Sequence, residues 1–120
     1  MPETIEQVVE VPKELVEEQG IVIVHCRYSG GGVIRVWRST FLLDHSSNHR
    51  SKLLHVENIS LYPLWTPIEG NSGLNFTLYF EALPKSCTKF DLHEIIPQPG
   101  GFFVEGIVRN ELDIYRVEII

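Results

Sequence analysis

A chain of 120 residues and 13.7 kDa has room for one domain with a single core, and at this size it is stable without disulfide staples. Hydrophobic residues make up 43% and charged residues 22%, ordinary globular values that exclude a disordered, collagen-like or coiled-coil chain. The formal charge of −6 repels phosphate backbones, so no nucleic-acid partner is expected.

The acids are unevenly placed, with Glu3, Glu6, Glu10, Glu14, Glu17 and Glu18 all near the start. Residues 1–20 read as an acidic N-terminal arm packing on the domain, and residues 21–120 as the domain itself. Pro12 breaks any helix that would run through the arm, leaving an extended piece and a turn. No run approaches the roughly 20 apolar residues of a membrane span, and the acidic start is unlike a secretory leader, so a cytoplasmic protein with no membrane contact is expected.

In Ile21 to Tyr28, Val22, Val24, Cys26 and Tyr28 alternate with Ile23, His25 and Arg27, the period-two pattern of a strand with one buried face. Ser29-Gly30-Gly31-Gly32 follows. A phosphate cradle would need a helix after the glycines; Val33 to Trp37 is strand-like instead, so the glycines read as a hairpin loop. Val33 to Leu43 reads as a long strand bent near Arg38, with Trp37 as a core or rim anchor. Asp44 to Ser51 is a polar surface loop.

Lys52 to Leu64 reads as one or two strands with a register change at Asn58. Pro63 and Pro67 confine Leu64-Trp65-Thr66 to an edge or an irregular crossing. From Asn75 to Glu94, Phe76, Leu78 and Phe80 and then Phe90 and Leu92 mark two strands expected to pair either side of the corner Leu83-Pro84-Lys85-Ser86. Phe102 to Val108 is a strand with Phe102, Val104 and Val108 on one face, and Ile114 to Ile119 closes the chain with Tyr115, Val117 and Ile119 inward. Short strands separated by turns, with no helical pattern, predict an all-β fold: a single antiparallel β-sandwich, immunoglobulin-like, of about seven to nine strands.

Three constellations invite chemistry. Asp44, His45 and His49 are metal-ligand types, but a serine- and asparagine-rich loop gives them no rigid frame. Asp91, His93 and Glu94 offer acid and base groups in one short strand, Asp91 and His93 on its outward face, yet no activated nucleophile or second zinc-type histidine accompanies them. Cys26, Trp37 and Cys87 have roughly the order of an antibody-type domain, but Cys87 lies in a corner with Lys85 where a tyrosine belongs, so two free thiols are expected rather than a disulfide.

The segment Asn75 to Glu94, with Gly100-Gly101-Phe102-Phe103-Val104 after it, resembles part of an uncharacterised family of bacterial proteins with an immunoglobulin-like β-sandwich. The resemblance covers about the last third of the chain, implies the fold, and brings no catalytic or cofactor residues. The function expected is therefore a non-enzymatic protein-interaction or structural module with no cofactor and no metal. Tyr62, Trp65 and Phe103 are its candidate partner surface, because amphipathic aromatics are enriched at interfaces. The partner is a protein or the chain itself, most simply as a homodimer through the arm or the final strand. Two alternatives stand beside it: a small metal-dependent enzyme using Asp44, His45 and His49 or Asp91 and His93, and a carrier of a small apolar ligand.

Overall fold

A computed structural model describes residues 20–119, so the expected arm, residues 1–19, and Ile120 lie outside the described residues. The described chain is all-β, with no helix. Its nine strands are β1 (Ile21–Tyr28), β2 (Gly32–Ile34), β3 (Phe41–Asp44), β4 (Arg50–Glu57), β5 (Thr66–Ile68), β6 (Leu74–Glu81), β7 (Lys89–His93), β8 (Phe103–Val108) and β9 (Ile114–Ile119). Seven of them form one sheet in the order β8-β7-β3-β4-β6-β1-β9, while β2 and β5 pair separately.

The large sheet curls until β8 and β9 approach each other, nearly closing a barrel, with no ladder joining them. The expected sandwich has two packed sheets of comparable size; here a single curled sheet wraps its own inner face. One pair also departs from the expected antiparallel order, because β9 runs parallel to β1, pairing Val24 with Tyr115 and Cys26 with Val117. A parallel neighbour requires a long crossover, and here nearly the whole chain lies between the two strands.

Alternation fills the interior. Val22, Val24, Leu42, Leu78, Phe80, Phe90 and Leu92 are wholly buried, and each contributes on the order of 1.5–3 kcal/mol by leaving water. Tyr115 meets Phe90 edge-on at 5.0 Å. The small sheet and its flanks add Ile34, Val36, Ile59 and Ile68 to the same core. Of the residues assigned inward from the sequence, all but Val108 are buried or, for Tyr28, Val104 and Val117, packed partly buried against the core.

Three expectations about connection change. The strands β6 and β7 share a sheet but do not pair, because the hairpin β3–β4 inserts between them. The segment joining them is anchored by buried Leu83 and Cys87, with Cys87 N–H donating to Pro84 O. Val33 to Leu43 is not one strand: β2 ends at Ile34, Thr40 folds back on Trp37 O through both its amide and its hydroxyl, and β3 begins at Phe41 in the other sheet. The bend near Arg38 is thus a crossing between sheets.

Register shifts twice. In β4, Leu53 opposes Phe80 and His55 opposes Tyr79, so Leu54 is an extra residue and the bulge sits there rather than at Asn58. Asn58 instead ends the strand at φ 64°. In β8, Gly106 at φ 70° absorbs the shift between Val104 opposite Leu92 and Ile107 opposite Phe90. After that bulge Ile107 turns inward and Val108 outward, reversing the faces read from strict alternation.

Candidate partner-binding surface

Proline chemistry builds the first part of the site. Pro67 lies within β5 opposite Val33. Having no N–H, Pro67 must occupy a position that makes no ladder bond, so the bonded pairs are Gly32 with Ile68 and Ile34 with Thr66. Two residues beyond Ile34, Val36 continues the same parity, its N–H donating to Ser60 O and its carbonyl accepting from Tyr62 N–H. This fixes the segment Tyr62-Pro63-Leu64-Trp65, all exposed, alongside the chain that leaves β2; the Tyr62–Pro63 peptide is cis.

On that frame four side chains stack. The Trp37 and Tyr62 rings lie 4.0 Å apart at 31°. The Arg35 guanidinium sits 4.6 Å from the Tyr62 centroid and 3.7 Å from that of Trp65, and its Nη1 donates to Pro63 O at 3.1 Å. Cation–π contacts of this kind contribute about 0.5–2 kcal/mol each. They pack Tyr62 and Trp65 against the Arg35 guanidinium although the two are 48% and 51% exposed. A half-exposed aromatic that is already ordered loses little further freedom when a partner covers it.

A cavity of about 300 Å³ opens beside this ledge, between the β2 chain and the connection after β7, and Val33, Arg35, Trp65, Ile96, Pro99 and Phe102 are among the residues that line it. Glu94 stands at its base, buried, with one carboxylate oxygen accepting from Trp37 N–H at 2.7 Å and the other from Phe102 N–H at 3.1 Å. Burial pushes the Glu94 carboxyl above its usual range, against the pull of those two amides and the nearby Arg35 charge. Gly101 passes so close to the Glu94 carbonyl that a Cβ there would collide with it. The acid thus ties three segments into one cavity wall.

The third aromatic of the expected surface stands apart. Phe103, 53% exposed, stacks on His93 at 4.9 Å, His93 on Phe41 at 5.5 Å, and the Arg50 guanidinium lies 4.3 Å from the Phe41 centroid. This row crosses β8, β7, β3 and β4 on the outer face of the large sheet. No ring contact joins it to Tyr62 or Trp65, so the structure brings two of the three residues together.

The chemistry-bearing residues also go to different places. Asp44 is buried in the β3–β4 turn, where its carboxylate accepts from the Ser46 amide at 3.1 Å, the Ser46 hydroxyl at 3.1 Å and the Ser47 hydroxyl at 2.6 Å. Burial alone would raise its pKa, but those donors and the Cys87 thiol outweigh it and hold the carboxyl at about 2. His45 turns away to pair its Nε2 with Asp91 Oδ1 at 2.6 Å, and the same oxygen accepts from the Gly106 amide of the β8 bulge. His49 is exposed at the end of the turn. Asp91 thus closes two backbone features while His93 joins the aromatic row. Among the described residues, no three His, Cys, Asp or Glu side chains gather as metal ligands would. Cys26 and Cys87 are buried free thiols, and burial pushes Cys26 up to about 12.

A second concavity of about 700 Å³ lies on the outer face of β4, β6, β1 and β9, lined by polar residues that include His25, Arg27, Glu57, Thr77 and Arg116. Several of these side chains already bond within the face: Arg27 to Ser72 O and Asn75, His25 Nδ1 with Thr77, and Tyr79 OH to Glu57. Burial and the Arg116 charge lower the His25 pKa against the opposing pull of Glu57, favouring its neutral form.

Sequence reasoning found Tyr62 and Trp65, grouped Glu94 with Asp91 and His93 as an acid or base rather than as part of this wall, and missed Arg35. Glu94 had a signal, because it continues the inward parity of Phe90 and Leu92, and a carboxylate on an inward position needs partners. Comparisons with protein-family models, curated proteins and solved structures give no match to this chain.

Proposed function

We propose that the protein is a non-enzymatic interaction module that engages a protein partner through the ledge formed by Trp65 and Tyr62. The observation carrying this reading is the stack Trp37-Tyr62-Arg35-Trp65, in which large aromatic faces are left half in water yet held in place beside a cavity. Trp, Tyr and Arg are the residue types that dominate binding energy at interfaces. Asp44, Asp91 and Glu94, the buried acids among the described residues, spend their oxygens on amides, hydroxyls and His45, which favours a structural use of them over an enzymatic one.

The immunoglobulin-like relationship suggested by Asn75 to Glu94 belongs to this proposal; the all-β character agrees with it, and the single curled sheet with its parallel β1–β9 pair does not add to it. So does a cytoplasmic setting; among the described residues no helix is long and apolar enough to cross a membrane. Self-association through the last strand has less support, because Ile119 is buried within its own chain at 4% exposure.

The test is co-purification with tagged wild-type protein, Trp65→Ala and Tyr62→Ala, with circular dichroism checking that each variant keeps its strands. A partner recovered with wild type should be lost from both variants and retained by Phe103→Ala. Equal recovery by Trp65→Ala and wild type would remove the ledge from the function.

A further inference from the structure

The cavity beside the ledge is bordered by an unused strand edge. Because Pro67 forces Gly32 and Ile34 to make the bonds to β5, alternation turns the N–H and C=O of Val33 and Arg35 to the opposite side. Trp37 confirms the parity, since its N–H, two residues further, donates to Glu94 on that same side. Val33, Arg35 and Glu94 all line the cavity. Among the described residues, no backbone group pairs with Val33 or Arg35 along this edge. Four backbone groups therefore face an opening large enough for side chains.

Arg35 is the cation on this edge, and it shares the cavity wall with the Glu94 carboxyl, close enough for the two to interact. Both Glu94 oxygens are occupied by backbone amides, whereas Arg35 has one hydrogen bond to Pro63 O and no carboxylate within ion-pair distance among the described residues. A guanidinium has five N–H donors in a planar fork suited to carboxylates. Its face is covered by Trp65 and Tyr62, so approach along its edge is what remains.

We infer that β2 accepts an extended acidic segment of a partner protein as a third strand, its backbone bonded to Val33 and Arg35 and one carboxylate on the Arg35 fork. This rests on the ledge reading and names the chemistry of what the ledge binds. Strand addition draws affinity from main-chain bonds and specificity from alternate side chains. Glu94, by taking the Trp37 N–H, ends the acceptor edge and limits the added strand to a short one.

The probe is the synthetic peptide acetyl-Glu-Val-Glu-Val-Glu-Val-amide, titrated to millimolar concentration into isotope-labelled protein while backbone amide signals are followed. Binding should shift the Val33 and Arg35 amides and slow their exchange at least tenfold at saturation. N-methylation of alternate peptide amides should weaken binding at least tenfold in one of the two registers, and replacing Glu by Lys at least fivefold. If Trp65→Ala abolishes binding but N-methylation in either register does not weaken it, the ledge stands and strand addition is wrong. If the peptide fails to bind, or binds equally well to Trp65→Ala and after N-methylation, the inference is overturned. Protection of Val33 and Arg35 in the free protein that rises with protein concentration would assign the edge to a second copy of the chain and overturn it as well.

Discussion

Replacing Asp44 by Asn changes one atom and removes one charge from a buried turn. The side chain keeps its volume and one acceptor oxygen, so the Ser46 amide stays paired, while the charge-assisted part of the Ser46 and Ser47 hydroxyl bonds is lost. The wild-type carboxyl is held at about 2 in the fold against an ordinary 3.8, and at 1.36 kcal/mol per pKa unit this gap is worth about 2 kcal/mol at neutral pH. The same hydrogen bonds are what lower the pKa, and a typical cost of about 1–3 kcal/mol for losing them covers the same range. A folded pKa below the unfolded one stabilises above the unfolded value and is lost as pH falls through the folded value. Urea unfolding followed by tryptophan fluorescence should show Asp44→Asn less stable by about 2 kcal/mol at pH 7, roughly 8 °C in Tm. The gap should shrink between pH 4 and pH 2. A gap unchanged across that range would refute the electrostatic reasoning, and no gap at pH 7 would refute the turn's role.

Arg109 forks onto both oxygens of Asp113 at 2.6 and 3.0 Å and donates to Pro84 O and Cys87 O, so Arg109→Ala strands several polar groups and should cost about 2–4 kcal/mol in the same unfolding assay, with Arg109→Lys recovering only part. In Gly106→Ala the Cβ meets only Lys89 Cδ, at an ordinary 3.9 Å, but the residue must hold φ 70°, and the change should cost about 1 kcal/mol. At pH 8 both thiols should resist alkylation in the folded protein, because burial raises Cys26 and, with the Asp44 charge, Cys87, and mass spectrometry should count two adducts once the chain is unfolded without reductant.

Much of the fold was legible because alternation is a local signal. Val22, Val24 and Cys26, or Phe76, Leu78 and Phe80, announce their inward face without reference to any neighbour. Pairing is not local, and nothing in Asn75 to Glu94 says that β3 and β4 will lie between its two strands, or that β9 will run parallel to β1. The Gly106 bulge was hidden for a related reason, since strict alternation through Phe103 to Val108 assigns Val108 inward until one extra residue is counted. The surface was half legible: Tyr62 and Trp65 stand out beside two prolines, but Arg35 becomes part of the site only because Pro63 and Trp65 come to it across the sheet. Phe103 looked equivalent in sequence and differs because β8 places it over His93.

The most direct test of the central claim is the amide-exchange footprint of a bound partner on the isotope-labelled protein. Protection concentrated in residues 33–37 and 61–66, with the polar groove around His25 and Arg116 and the row around His93 unchanged, is the result that the ledge requires. Protection centred on β1 and β9 or on Phe103, with Trp65 and its neighbours exchanging as in the free protein, would contradict it.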